Sequence, residues 1–386
     1  MANATILQPD IEFIRQIKAA GGDSLKKCYQ CATCSVVCNL ASENHAFPRK
    51  QMVLTQWGLK DQLLADPSLW MCHQCNDCST YCPREAKPGD VFAALRSFSF
   101  KHFSFPSFMG KALANKAALP ALFLVPMLII FAVLLSSSSG NFGYLFHFTG
   151  EVDYAIPFPH GMLDAIFVTG NILVFFFIAF SLLRFWKGLK SNDPDAKGPG
   201  FIPAVIATFT ELGTHKKFNQ CESEKSRYLG HMLMFYGFIG ALTATALNFL
   251  FTTIIKWMGS PWYIPSPVEF PNPIKLFGIA GGVAMLIGGW LLIRLRMSGD
   301  DDAGKSDYHD WLFLIVITSV ALTGMLAWIL RIIEIPILAY FDYYAHLVLV
   351  FFLLWYAPYS KFGHMFYRTL ALIYAKSNGI DKPRKL

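Results

Sequence analysis

Cys28-Tyr29-Gln30-Cys31-Ala32-Thr33-Cys34-Ser35-Val36-Val37-Cys38 decides how the first hundred residues are read, and its pattern returns as Cys72-His73-Gln74-Cys75-Asn76-Asp77-Cys78-Ser79-Thr80-Tyr81-Cys82-Pro83. Both runs follow C-x2-C-x2-C-x3-C. The second ends in proline; the first has Asn39 in that place, which removes no ligand. A short loop with three cysteines can aim each thiolate at a different iron of one cubane, while the fourth cysteine leaves to ligate the other cluster. The spacing therefore predicts one [4Fe–4S] cluster on Cys28, Cys31, Cys34 and Cys82, and a second on Cys72, Cys75, Cys78 and Cys38. Structural zinc is the competing reading, but zinc ribbons use paired cysteines and four ligands, not a four-cysteine run given twice. The remaining cysteine, Cys221, reads as an ordinary thiol.

The residues around the two runs carry helical signals. Ile11 to Ile17 is amphipathic and meets a stop at Gly21-Gly22. Residues 47–66 place Met52, Leu54, Trp57, Leu59 and Leu63 on an apolar face, and a further helix starts near Asp90 as N-cap and carries Phe92, Leu95 and Phe98. No hairpin pattern intervenes, so residues 1–98 read as an all-helical two-cluster ferredoxin domain.

Beyond it the composition changes. The chain of 386 residues is 54% hydrophobic and 15% charged, with 35 Phe, against roughly 25% charged in soluble domains. After a linker and interfacial segment at 99–118, six apolar stretches approach the ~20 residues a spanning helix needs: 119–135, 163–186, 229–256, 273–293, 311–333 and 341–375. The first holds Pro120 and Pro126 and is the weakest. The net charge of +7 comes from cations at the ends of apolar runs. Arg184, Lys187, Lys190, Lys216, Lys217, Lys225, Arg227, Arg294, Arg296, Arg368, Lys376, Lys382, Arg384 and Lys385 fall on one side if six helices cross. The positive-inside rule makes that side cytoplasmic, and the N-terminus shows no signal-peptide pattern. Both termini and the cysteine domain are thus expected in the cytoplasm, with 119–375 in the inner membrane and 376–386 as a cytoplasmic tail. A basic groove with stacking aromatics is absent, which excludes nucleic acid as a partner. Asp164 and Glu211 are isolated carboxylates, and Glu334 and Asp342 lie near a surface, so a transporter reading is weak.

Histidines within the apolar half are suspects for function, because polar groups there are costly. His346 and His364, 18 residues apart on the expected last span, would share one helix face with a separation of roughly 27 Å at about 1.5 Å per residue. Two b haems stacked across the membrane would use them. His231 matches the depth of His364, and His160 that of His346; Gly230 and Gly237 are small enough for a macrocycle to approach. His147 and His309 are alternative ligands, and His45, His73, His102 and His215 read as surface or interface residues. Lys256, with Trp257, Trp262 and Tyr263, is the candidate quinone site.

The segments CYQCATCSVVC and WMCHQCNDCSTYCP resemble the small iron–sulfur subunit of heterodisulfide reductases, and the segment RYLGHMLMFYGFIGAL with the last five spans resembles the cytochrome b subunit of respiratory nitrate reductase. Their fusion resembles the third subunit of the quinone-interacting membrane-bound oxidoreductase (QmoC type) of sulfate reducers. The resemblance implies oxidation of menaquinol, passage of electrons through b haem and the two clusters to cytoplasmic flavin and iron–sulfur subunits, and delivery toward adenylylsulfate reductase. In one respect the chain departs from the nitrate-reductase pattern: the helix over 229–256 carries a single histidine, His231. The opposite electron direction, reducing quinone, is the alternative.

Overall fold

The structure, a computed structural model, describes residues 7–41, 45–139, 141–192, 199–215, 225–298 and 308–380. Lys216, Lys217 and Cys221, and the tail cations Lys382, Arg384 and Lys385, lie outside the described residues. Among the described residues there is no β-strand. The fold is all-α: a helical ferredoxin-like region followed by six helices long and apolar enough to cross a membrane.

The cysteine region comprises α1 (Ile11–Ile17), α2 (Thr33–Val37), α3 (Arg49–Gln56), α4 (Lys60–Leu64), α5 (Pro67–Met71), α6 (Asp77–Thr80) and α7 (Pro88–Phe103). Asp10 caps α1 by accepting from the Phe13 amide at 2.8 Å. The single helix expected over 47–66 is broken between α3 and α4 at Gly58, which has φ +69°. A Cβ there would come within 2.8 Å of the Asp10 carbonyl oxygen, so the break lets the chain ahead of α1 lie directly on this turn. The helix expected from Asp90 begins instead at Pro88, whose fixed φ suits a first turn.

After α8 (Ser107–Ala114) come α9 (Leu119–Ser138), α10 (His160–Asn192) and α11 (Phe201–Thr214). α12 (Lys225–Phe249) runs through a π-helical turn, Leu250–Ile254, into α13 (Ile255–Trp257). α14 (Pro273–Met297), α15 (Tyr308–Ile332), α16 (Pro336–Trp355) and α17 (Lys361–Ser377) complete the chain. The six candidate spans are Lys116–Ser138, His160–Ser191, Arg227–Trp257, Pro273–Met297, Tyr308–Ile332 and Pro336–Trp355.

The last of these corrects the sequence reading. The expected helix over 341–375 is two helices, because Ala357-Pro358-Tyr359 forms a 3-10 turn and Ser360 is extended with φ −100° and ψ −173°. Proline denies the helix a donor, and the Ser360 hydroxyl caps the new helix by accepting from Phe362 at 3.2 Å. α17 then packs against α5, α10 and α11. It buries Tyr367, Ala371 and Tyr374 in the same core as Trp70 of α5 and Phe185 and Leu189 of α10.

α12 and α14 meet along a seam of small residues, as expected of closely packed membrane helices. A Cβ on Gly281 would stand 2.7 Å from the Gly237 carbonyl oxygen and the Ala241 amide nitrogen, and one on Gly288 would stand 2.7 Å from the Gly230 carbonyl oxygen. Gly230 and Gly237 therefore face α14, where no room is left on that side for a macrocycle.

Pro126 sits inside α9 and has no amide hydrogen to give the Leu122 carbonyl, its i−4 partner. The Tyr356 hydroxyl at the end of α16 donates to that oxygen at 3.0 Å. Tyr344 donates likewise to the Met127 carbonyl at 2.8 Å, but Met127 is followed four residues later by Phe131, which has an amide. Tyr356→Phe should therefore cost about 1–3 kcal/mol by leaving a buried acceptor without a donor, and Tyr344→Phe measurably less. Thermal unfolding of the two variants in the same detergent checks the order; equal losses would remove the proline from the explanation.

Candidate functional site

The two cysteine loops share one backbone solution. Gln30 and Ala32 flank Cys31 with φ +67° and +70°, and Gln74 and Asn76 flank Cys75 with φ +58° and +64°. Non-glycine residues in the left-handed region cost of order 1–3 kcal/mol each when held there by surroundings. One such residue on each side of the middle cysteine curls the loop around it. The third cysteine of each run then enters a short helix, Cys34 in α2 and Cys78 in α6, and α2 packs on α6.

Cys28, Cys31, Cys34 and Cys82 line one cavity, together with Arg49, Arg84 and Pro88. Cys38 lies among the thiols of the other run: burial and then repulsion from Cys72 and Cys75 push it up to about 12. Cys78 is raised for the same reasons, burial first and then Cys72, Cys38 and Cys75. Burial also raises Cys28 and Cys72, and lifts Cys34 to about 11. Cys31, exposed and bonded to the Thr33 hydroxyl, is lowered instead. Buried thiols that repel one another as thiolates are stable together once cationic iron supplies the opposing charge.

Among the described residues no three Cys, His, Asp or Glu side chains converge on a point where a single ion would sit. Two runs of four cysteines match the ligand demand of two polynuclear clusters. When bound, each cluster carries single electrons.

Side chains from elsewhere hold the loops. Gln56 donates to the carbonyls of Cys28 at 2.7 Å and Leu25 at 3.0 Å. The Cys72 carbonyl receives Arg96 of α7 and Arg368 of α17, each at 3.1 Å. Arg96 also donates to the Gln74 side chain, and Arg368 meets the His73 ring at 3.0 Å. Amides point at sulfur as well, from Gln74 to Cys72 at 3.4 Å and from Ala86 to Cys82 at 3.3 Å; such bonds tune cluster potential. Charge at the end of an apolar run makes Arg368 a membrane-flank anchor in the sequence, and nothing there singles out Arg96 or Gln56. The available signal was spacing, since Arg368 lies one turn beyond His364 on a helix rich in tyrosine.

The histidines are placed differently from the expectation. With the chain broken at Pro358, His346 and His364 do not share a helix face. His364 lies on α17 with its ring 5.3 Å from Trp70, and the His231 ring is 5.4 Å from that of His215. His346 is held on α15 by Thr323, whose hydroxyl lies 2.9 Å from Nδ1. His160 is exposed at the start of α10, 3.1 Å from the Ser266 hydroxyl. At that same end of the bundle Asp164 accepts from Thr253 at 3.1 Å within the π-helical turn. Lys256 stands 5.5 Å over the Tyr263 ring. The cysteine region packs on the other end of α10, a helix of 33 residues, roughly 50 Å long.

A family profile described as a 4Fe–4S dicluster domain matches residues 24–86. One described as citrate utilization protein B matches residues 109–384. The chain carries an iron–sulfur domain of the heterodisulfide-reductase type joined to a membrane region, and it belongs to the citrate utilization protein B family. It is 42% identical over 92 residues to a subunit of the H(2):CoB-CoM heterodisulfide,ferredoxin reductase of Methanothermobacter thermautotrophicus, covering 24% of this chain and 50% of that protein. A protein of Archaeoglobus profundus that is itself like a heterodisulfide reductase subunit is 35% identical over 92 residues, 24% of this chain and 49% of its own. Against citrate utilization protein B of Escherichia coli the identity is 26% over 326 residues, 78% of this chain and 80% of that one. The chain thus spans about half the length of the heterodisulfide-reductase relatives it matches. No solved structure is detectably similar.

Cys78→Ala should lower cluster iron from about eight atoms to about four, read by iron assay and by EPR after reduction. Ala32→Gly should raise stability by about 1 kcal/mol by relieving the left-handed strain, without changing the iron count. A destabilised Ala32→Gly would mean that the methyl group packs more favourably than its backbone is strained.

Proposed function

We propose that this chain is the membrane electron-transfer subunit of a quinone-dependent oxidoreductase of the QmoC type. It oxidises menaquinol and passes electrons by way of b haem and two [4Fe–4S] clusters to cytoplasmic flavin and iron–sulfur subunits, toward adenylylsulfate reductase. The observation that carries the reading is a cavity lined by Cys28, Cys31, Cys34 and Cys82, with Cys38 beside the thiols of the other run, in a helical domain packed against α10 and α17. The division into a cluster domain at 1–98, an interfacial segment at 99–118, a membrane domain at 119–375 and a tail at 376–386 is part of this proposal. So is a cytoplasmic location for the cluster domain and both termini.

The proposed cluster ligands are Cys28, Cys31, Cys34 and Cys82 for one centre and Cys72, Cys75, Cys78 and Cys38 for the other. Candidate haem ligands are His231, His364, His346 and His160. Support differs among them. His346 is the best suited, because Thr323 holds Nδ1 and fixes the ring as outer partners of metal-bound histidines do, leaving Nε2 for iron. No electron step is assigned to a particular pair of these histidines. A haem would supply a one-electron carrier between the two ends of the bundle.

Lys256 is the candidate quinone-site residue. It follows a π-helical turn, a feature frequent at functional sites, and shares its end of the bundle with Asp164, His160 and Tyr263. Its ammonium would hydrogen-bond a quinone carbonyl, with Tyr263 beside the ring. The reverse direction, reduction of quinone by electrons arriving from the clusters, uses the same parts.

Optical and EPR spectra of the purified chain test the reading by counting haems and clusters together. Thr323→Val should keep the haem of His346 while shifting its midpoint potential, whereas His346→Ala should remove that haem. Lys256→Ala should leave haem content unchanged and slow haem reduction by menaquinol. A wild-type spectrum without haem would reject the menaquinol route and leave an iron–sulfur carrier alone.

A further inference from the structure

We propose that the face around Cys31 is the docking site for a soluble, acidic redox protein, and that the cluster of Cys28, Cys31, Cys34 and Cys82 is the one that meets it. The proposal rests on the relay reading above and adds which cluster lies at the exit and what covers it.

The two cysteine loops sit in opposite surroundings. Cys72 is buried, and its carbonyl is held by Arg368 from α17. The residues just before it, Trp70 and Met71, pack on α17. This loop lies at the seam with the membrane helices. Cys31, by contrast, is exposed. Around it Tyr29, Val36 and Tyr81 are 61%, 68% and 61% exposed, although the same domain buries Phe13, Phe47, Trp70 and Phe92 almost completely. Each of the three stands next to or between cysteines of this cavity's loops.

Charge surrounds that apolar centre. The Arg84 guanidinium lies 4.7 Å over the Tyr29 ring, and Arg49 and Arg84 line the cavity. Lys26, Lys27 and Lys87 are exposed beside the cysteines in sequence, and Lys50 is exposed on α3 next to Arg49. The carboxylates nearest in sequence are Asp23, Asp77, Glu85 and Asp90, and Glu85 and Lys27 pair with each other at 3.6 Å. An apolar centre rich in tyrosine and arginine within a polar rim is the anatomy of a protein interface. The excess of cations selects a partner with an acidic face and steers its approach. A lipid surface fits poorly, because α10, the candidate span on which the domain packs, meets Trp70 just before the other loop. The exchange is of one electron with no bond made or broken, and the partner's flavin or iron centre is the other half of the couple.

The test uses the full chain with its clusters in detergent micelles. Flavodoxin serves as the acidic redox probe and cytochrome c as the basic control. Binding is read by NMR line broadening of isotope-labelled probe and by its dependence on salt. The wild type should bind flavodoxin and not cytochrome c. Lys50→Glu with Lys87→Glu should weaken flavodoxin binding by about tenfold, a change of one decade in Kd, and Val36→Glu should do at least as much. The charge-matched control Arg15→Glu with Lys18→Glu should stay within about twofold. Preference for cytochrome c, or equal weakening by both double variants, would overturn the docking face. EPR of every variant reads the clusters separately, so wild-type protein that binds flavodoxin yet lacks cluster signals would overturn the relay reading and the assignment of an exit cluster while leaving the docking face in place.

Discussion

The join between the two halves depends on α17, the helix that begins where Pro358 and Ser360 end the last membrane helix. Its Tyr367 ring stacks on Trp70 at 5.0 Å and meets Phe185 of α10 at 5.2 Å. One turn of sequence earlier stands His364, and the next residue, Arg368, reaches the Cys72 carbonyl. Aromatic rings of this size remove large areas from water and pack with defined geometry. Three elements distant in sequence are thereby fixed against one another, and the second cysteine loop is held by a residue nearly 300 positions away. Without the break at Pro358, α17 would continue the line of α16 and the cysteine region would have lost this surface.

Two further links tie the seam. Lys376 and Glu211, both largely shielded from solvent, pair at 2.7 Å and bind α17 to α11. Tyr359 donates to the Phe105 carbonyl at 2.9 Å, while the Phe105 amide donates to Ser181 of α10 at 2.9 Å. A partly buried ion pair is weak evidence of stability by itself, but it fixes register. α11 is left with Phe201, Ile202, Ile206 and Phe209 exposed on its outer side.

Local signals were legible in the sequence, and relations between distant parts were not. The cysteine spacing identified an iron–sulfur domain, because the chemistry of a cubane constrains a stretch of eleven residues without reference to the rest of the chain. Hydropathy located six spans because burial in lipid is a property of each segment. The break in the last span escaped, since residues 341–375 stay apolar and aromatic across Pro358 and composition does not distinguish a straight helix from a bent pair. The argument for two haems on one helix face fell with it. Gly230 and Gly237 were read as room for a macrocycle, whereas the partner helix occupies that room. Arg368 was read through its charge alone; its role depends on which loop lies within reach, and only the fold decides that.

Pro126 places a condition on how the protein is made. α9 emerges from the ribosome more than two hundred residues before Tyr356, the donor that completes its hydrogen bonding. Within hydrocarbon an unsatisfied carbonyl is costly, so the nascent first span is an incomplete membrane helix until the last one arrives. The hydrogen bonding of α9 is therefore complete only once α16 is in place, and a chain cut before α16 would leave α9 short of a donor on the side that faces the bundle.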